Sequence, residues 1–192
     1  MGCTMPRIIA GEFRGRRLNA PADVTRPTSD RVREAIASML GARMDITDTR
    51  VLDLYAGTGA LGLEVLSRGA ATAVLVESDR RAAAVARENI AVCGMVSRAR
   101  VVNRTVSSFL AAPGALYDLV FLDPPYEMAA QEVADALVAL VEHLDEGAWV
   151  VLERASRSEP VTWPDGVTPV AEKVYGDTAI TLAQRDPDPA YR

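Results

Sequence analysis

Cysteine and histidine are nearly absent. The 192 residues include two cysteines and one histidine. Cys3 and Cys93 cannot build a disulfide framework, and neither has a neighbouring Cys or His with which to hold a metal. With a single histidine, Ser–His–Asp chemistry and a zinc site are poor fits, and His143 reads as a partly exposed residue at a helix end. Aromatic residues make up 5% of the chain, and Trp149 and Trp163 read as packing residues. No apolar run approaches the roughly 18 residues that span a bilayer. The opening MGCTMPRIIAGEF lacks the apolar core of a signal peptide, and Pro6 spoils the myristoylation pattern. No metal, no membrane and a cytoplasmic location are therefore expected.

Positive charge is scarce overall but not evenly so. The formal net charge is −5, which taken whole argues against a nucleic-acid partner. Between Arg7 and Arg33, however, stand seven arginines against Glu12, Asp23 and Asp30, a local +4, and the remaining residues carry −9. That split predicts a basic arm on an acidic body.

Residues 7–19 pattern as two short strands around Gly11 and Gly15, and APADVTRPTSD reads as a loop. Thr28 or Ser29 can cap a helix carrying Val32, Ala35, Ile36, Met39 and Leu40 at helical spacing, with Gly41 as its stop. Strands and helices then alternate. Apolar strands are expected at 51–56, 73–77, 100–103, 118–122 and 148–153. Helices are expected over 60–68, from 79 to about 92, up to 110, and along a face running from Val133 to Leu144. Near-continuously apolar strands alternating with helices imply a mostly parallel sheet covered on both faces. Segments 167–175 and 178–183 flank Gly176-Asp177 as an antiparallel hairpin that closes the sheet. The expected organisation is an arm over 1–28, an α/β domain over 29–185 and a frayed tail over 186–192.

VLDLYAGTGALGLEVL holds Gly57-Thr58-Gly59-Ala60-Leu61-Gly62, a GxGxxG pattern between a strand and a helix. Such glycines let a backbone approach a ligand at a helix N-terminus. Glu77 ends the next strand 20 residues after Gly57, where a carboxylate can accept ribose hydroxyls. Both features suit a dinucleotide as well as S-adenosyl-L-methionine. Asp53 separates the two: a carboxylate four residues before Gly57 repels a pyrophosphate and attracts an ammonium and a sulfonium. The competing reading has Asp53 capping loop amides and the glycines turning the chain.

The fourth strand ends in Asp123-Pro124-Pro125-Tyr126. An exocyclic amine of a nucleobase is a weak nucleophile, because its lone pair is delocalised into the ring. Acceptors for its two hydrogens must be in place before the methyl arrives. Asp123 and the Pro124 carbonyl can be those acceptors, the two prolines fix the backbone, and Tyr126 offers a face for an extruded base. The plain alternative is a rigid turn into a helix. The motifs DLYAGTGALGLE, VESD and DPPY resemble those of class I S-adenosylmethionine-dependent methyltransferases, a Rossmann-like fold with a seven-stranded sheet. That resemblance implies cofactor contacts from Asp53, Tyr55, Ala56, Gly57, Thr58, Gly59, Glu77, Ser78, Thr105 and Val106.

Tetrads of this kind serve adenine N6, guanine N2 and glutamine-amide methyltransferases, so DPPY leaves the base open. RIIAGEFRGRRL followed by TRPTSDRVREAIASML, with YGDT near the C-terminus, is similar to the RsmD family of bacterial small-subunit rRNA guanine-N2 methyltransferases over about residues 6–185. The resemblance implies methylation of a guanine N2 in 16S rRNA, within the small ribosomal subunit or its assembly intermediate. Arg14, Arg16, Arg17, Arg26 and Arg31 are the expected RNA contacts, through phosphates. After the third strand, where family members commonly carry an acidic or amide residue facing the cofactor's adenine, this chain offers Asn103 and Thr105. A monomer is expected. The rivals are an adenine-N6 methyltransferase acting on DNA or RNA, and a non-catalytic assembly factor that binds RNA.

Overall fold

The computed structural model describes residues 6–20 and 29–187. Helix α1 (Asp30–Gly41) precedes β1 (Arg50–Leu54), α2 (Ala60–Ser67), β2 (Thr72–Val76), α3 (Arg80–Val92) and β3 (Ala99–Val102). Then come α4 (Val106–Leu110), β4 (Tyr117–Leu122), α5 (Ala130–Leu140), a 3-10 turn (Val141–His143), β5 (Leu144–Ala155), β6 (Val167–Tyr175) and β7 (Thr178–Arg185). The strands make one sheet in the order β3-β2-β1-β4-β5-β7-β6. Strands β1 to β5 are parallel, and β7 runs antiparallel to both β5 and β6. This is the mostly parallel sheet expected from the alternating pattern, in the seven-stranded Rossmann-like form that the resemblance implied.

Period-two alternation divides the core into two layers. Val51, Leu119, Phe121 and Val151 face α1, α2 and α3, while Leu52, Leu54, Val120, Leu122, Val150 and Leu152 face α4 and α5. The chain leaves β1 toward β2 and β3, then returns to β4 on the other side. The topological switch therefore lies between β1 and β4, which pair from Val51↔Leu119 to Leu54↔Leu122. Ligands of open α/β sheets bind beyond the strand ends at such a switch. At the opposite edge Arg50 bridges Asp118 at 2.8 Å and Asp145 at 2.5 Å, fixing β1, β4 and β5 in register.

Several expectations change. The arm's two strands reduce to one bridge, Arg7↔Arg17, closed by Ile8 N–H to Arg16 O at 2.9 Å and Leu18 N–H to Pro6 O at 2.7 Å. Four of its amides are claimed by α2: Ile9 and Ala10 donate to the Glu64 carboxylate, Glu12 to Ser67 O and Phe13 to Ser67 Oγ. Ile8 and Leu18 are fully buried in the layer that α1 and α2 share. Ser29 caps α1, accepting from the Val32 amide; Thr28 lies outside the described residues. The helical face that the sequence carries to Leu144 stops at Leu140, and β5 is twice the expected length, running on to Ala155. His143 is 2% exposed, not partly exposed: Nε2 lies 3.1 Å from Leu110 O and the ring stacks on Phe109. A half-apolar ring completes the layer under α4 better than it would a surface turn.

Candidate active site

Strand β1 ends where Tyr55 takes a φ of 60°, a left-handed conformation that is strained for a bulky residue. Its hydroxyl reaches Met128 Sδ at 3.6 Å, so the bend at the end of β1 is tied to the loop after β4. Gly59 stands at φ 83° as the cap of α2, with no side chain closing the helix start. A Cβ there would come within 2.8 Å of Leu75, and one at Gly62 within 2.4 Å of the same side chain. Gly59 also holds a φ that favours glycine, and a side chain at either position would have to displace Leu75 for α2 to keep its approach to β2.

The carboxylates of this edge come from three strands. Glu77, after β2, accepts the Gly57 amide at 2.8 Å and the Asp79 amide at 2.7 Å, holding the glycine loop against the start of α3. Asp53 is 1% exposed and accepts the Gly62 amide at 2.9 Å. Burial pushes its carboxyl up to about 7; the Gly62 amide opposes the rise, and the charges of Asp123 and Glu77 add to it. Asp123 follows β4, half-buried, its amide 3.4 Å from Leu54 O.

A cavity of about 470 Å³ opens along this edge between α4 and α5. Its wall includes Tyr55, Glu77, Ser78, Thr105, Val106 and Pro125, six of the residues named from sequence. Thr105 also caps α4 by accepting the Ser108 amide. Asp53, Ala56, Gly57, Thr58 and Gly59 sit in or under the glycine loop and are not part of that wall. Past Pro125 the chain turns, with the Met128 amide donating to Pro125 O at 3.0 Å. Pro124 is buried, while Tyr126 is 37% exposed, a large ring left facing solvent at the rim.

The expected RNA contacts divide. Arg14, Arg16 and Arg17 are exposed on the hairpin, and Arg31 is exposed in the first turn of α1. Arg26 lies outside the described residues. Arg16 lies over the Phe13 ring at 4.8 Å and donates to Val92 O at 2.7 Å, at the far end of α3 from the cavity. The hairpin arginines are therefore not brought to the pocket mouth.

Over residues 6–184 the chain matches the family model described as Conserved hypothetical protein 95. It is 40% identical over 181 residues to Ribosomal RNA small subunit methyltransferase D of Escherichia coli K12, covering 94% of this chain and 90% of that protein. The chain belongs to the RsmD family. The Haemophilus influenzae protein of the same name is 34% identical, over 93% of each chain. The solved structure of Escherichia coli yhhF superposes with a TM-score of 0.85 at 36% identity, over 96% of this chain and all of that one.

Within this RsmD-family site, sequence reasoning missed the far wall. Met128, Glu132 and Asp135 line the cavity from the loop after DPPY and from α5. Helical spacing from Met128 would have placed the two acids on one face. Arg154, 7% exposed near the end of β5, donates to Met128 O at 3.1 Å and so braces the same loop. No local pattern marks it. Asn103 donates to Glu77 O at 2.8 Å and Ser78 O at 3.0 Å. Its amide nitrogen thereby secures the end of β2 instead of pointing into the cavity.

Proposed function

We propose that this chain transfers a methyl group from S-adenosylmethionine to the exocyclic N2 amine of a guanine in 16S rRNA, within the small ribosomal subunit or its assembly intermediate. One observation carries the reading: the cavity walled by Tyr55, Glu77, Ser78 and Thr105 runs directly to Pro125 of the DPPY tetrad. The named activity of the 40% identical Escherichia coli relative supports the choice of rRNA.

The residues present suit the cofactor. Glu77 stands at the wall for ribose hydroxyls, Thr105 and Val106 line the part beside α4, and α2 begins without a side-chain cap where a carboxylate would be favoured. Bound there, S-adenosylmethionine supplies an electrophilic methyl on a sulfonium. Asp123 and the Pro124 carbonyl accept the two amine hydrogens, which frees the nitrogen lone pair from the ring and aims it. Tyr126, already exposed at the rim, stacks the extruded base. No strong base is needed, since the proton leaves once nitrogen is cationic. Catalysis is positioning by groups fixed beforehand.

Asp53 makes this testable by pH. A cationic ligand favours its ionised form, so binding below pH 7 must expel the proton that burial retains. Affinity for S-adenosylmethionine should rise with pH up to about 7 and level off above. Below that point the loss is up to about tenfold per pH unit. In Asp53→Asn the slope should vanish. Calorimetric titration across pH checks both, and a flat wild-type profile would remove Asp53 from cofactor binding.

The direct test offers labelled S-adenosylmethionine with small subunits lacking the modification, naked 16S rRNA and DNA, and identifies the nucleoside by mass spectrometry. N2-methylguanosine in ribosomal RNA is expected. N6-methyladenosine would overturn the choice of base, and bound cofactor with no transfer to any substrate would turn the reading into that of an assembly factor.

A further inference from the structure

The hairpin arginines sit far from the cavity, and the surface between them is not neutral. Helix α3 begins at the cavity rim, just after Glu77 and Ser78, and runs 13 residues, about 20 Å, toward the hairpin. Residues 80–104 carry six arginines against Glu88 alone, whereas residues 105–187 carry four basic groups against fourteen acids. The acidic body read from the sequence is thus itself divided, with its basic part on the α3–β3 side of the sheet.

Arg80 and Arg81 are exposed in the first turn of α3, Arg87 is exposed further along it, and Arg104 is exposed just before Thr105 of the cavity wall. These four make no salt bridge among the described residues, whereas Arg50 and Arg68 are each paired with carboxylates. Their placement does not serve the helix. Asp79 already caps the start of α3 by accepting the Ala82 amide, and Arg80 and Arg81 in the turn that follows sit where the helix dipole disfavours a cation. At its far end the series meets the hairpin. Arg98 lies over Phe13 at 5.8 Å, Arg16 lies over the same ring, and Arg16 also holds the last carbonyl of α3. Arg100, on β3 and close to Tyr117, stands apart from the series.

We propose that Arg80, Arg81, Arg87 and Arg104 form a phosphate-binding strip that carries ribosomal RNA from the rim of the active site along α3 to the hairpin, a proposal that rests on the rRNA methyltransferase reading. The strip is long enough for about six stacked nucleotides of one strand. Its cations are all arginine, whose planar fork suits phosphate oxygens. It makes the hairpin and the pocket two ends of one footprint, with the extruded guanine at one end and backbone contacts along the rest. The acidic face of β5, β6 and β7 would then be turned from the RNA.

The test is the intact chain with Arg81→Ala, Arg87→Ala and Arg104→Ala combined, titrated across a salt series against unmodified small subunits and naked 16S rRNA. The slope of log affinity against log salt should shrink by about two. The KM for subunits should rise roughly tenfold or more, with turnover at saturating subunits and S-adenosylmethionine affinity retained. Arg157→Ala with Lys173→Ala, two exposed bases on the acidic side, should leave the slope alone. An unchanged slope in the triple variant, while the wild type still transfers methyl, overturns the strip and spares the function. Wild-type RNA binding without any transfer, with the slope reduced in the variant, overturns the function and spares the strip. Weaker binding to subunits with unchanged binding to naked rRNA would assign the strip to a protein contact and overturn it.

Discussion

Asp123→Ala should abolish methyl transfer while leaving S-adenosylmethionine bound with nearly its original affinity. The carboxylate stands at the end of β4, outside the cavity wall formed by Glu77, Ser78 and Thr105, so removing it takes nothing from that wall. It does remove one of the two acceptors that would localise the amine lone pair. Loss of a single preorganised group of this kind costs about 10²–10³ in turnover. Here the loss should lie at or beyond the upper end, since an unaligned amine is scarcely nucleophilic. Asp123→Asn keeps one acceptor oxygen but adds a donor, and should fall between. Rapid-quench measurement of a single turnover, beside a cofactor titration, separates chemistry from binding. Single-turnover rates within threefold of wild type would falsify the assignment.

The same variant should report on Asp53. The negative charge of Asp123 is one of the causes that raise the Asp53 carboxyl, after burial itself. Without it, Asp53 ionises at lower pH, and the midpoint of the cofactor's pH dependence should move down. The two carboxylates are thus coupled, the charge of Asp123 helping to raise the carboxyl of Asp53. Residues that look like two separate motifs in sequence, DLYAGTG and DPPY, behave as one electrostatic unit because β1 and β4 are neighbours.

Local chemistry is what made those motifs legible. A glycine loop between strand and helix, an acid 20 residues on, and two prolines after an apolar run each declare themselves within a few residues. The mostly parallel sheet and its antiparallel closing pair followed from the same alternation and from the Gly176-Asp177 turn. What stayed hidden depended on partners remote in sequence. Arg33 reads as one more member of a basic arm, yet it is fully buried, with Asp30 at 2.6 Å, Arg7 O at 2.7 Å and Glu64 at 3.8 Å. His143 reads as a surface residue until Leu110 and Phe109, more than thirty positions earlier, supply its surroundings. Arg154 gains meaning only from Met128 O, which lies on a loop that no periodicity describes. Charge counted along the chain likewise failed to show that the arm's tip and the pocket stand at opposite ends of α3, because the hairpin folds back along α2.

Glu64 is where that folding back is enforced, and Glu64→Ala should be the most destabilising single change outside the apolar core. Its side chain is 2% exposed and collects partners from three places. Ile9 and Ala10 donate to it from the arm at 2.8 and 3.1 Å, Arg68 from the end of its own helix at 2.8 Å, and Arg33 of α1 faces it. Removing it leaves the Arg33 charge buried with Asp30 as its remaining carboxylate, and strands two arm amides. Breaking a buried pair from one side costs about 3–5 kcal/mol, which in a domain of this size lowers Tm by on the order of 10 °C. Adding Arg33→Met to Glu64→Ala should recover part of the loss, because the uncompensated charge goes with it. It cannot recover all, since the Ile9 and Ala10 amides remain without their acceptor. Hydrogen exchange at those two amides should accelerate in both variants, more than at the strands of the sheet. Affinity for ribosomal RNA should fall with the arm's detachment while S-adenosylmethionine affinity holds, because Glu64 lies on α2 outside the cavity wall. A Tm within about 2 °C of wild type, below the shift that even 1 kcal/mol produces, would show that the arm is held by Ile8, Leu18 and its contacts to Ser67 and Asn89, and that Glu64 merely accompanies them.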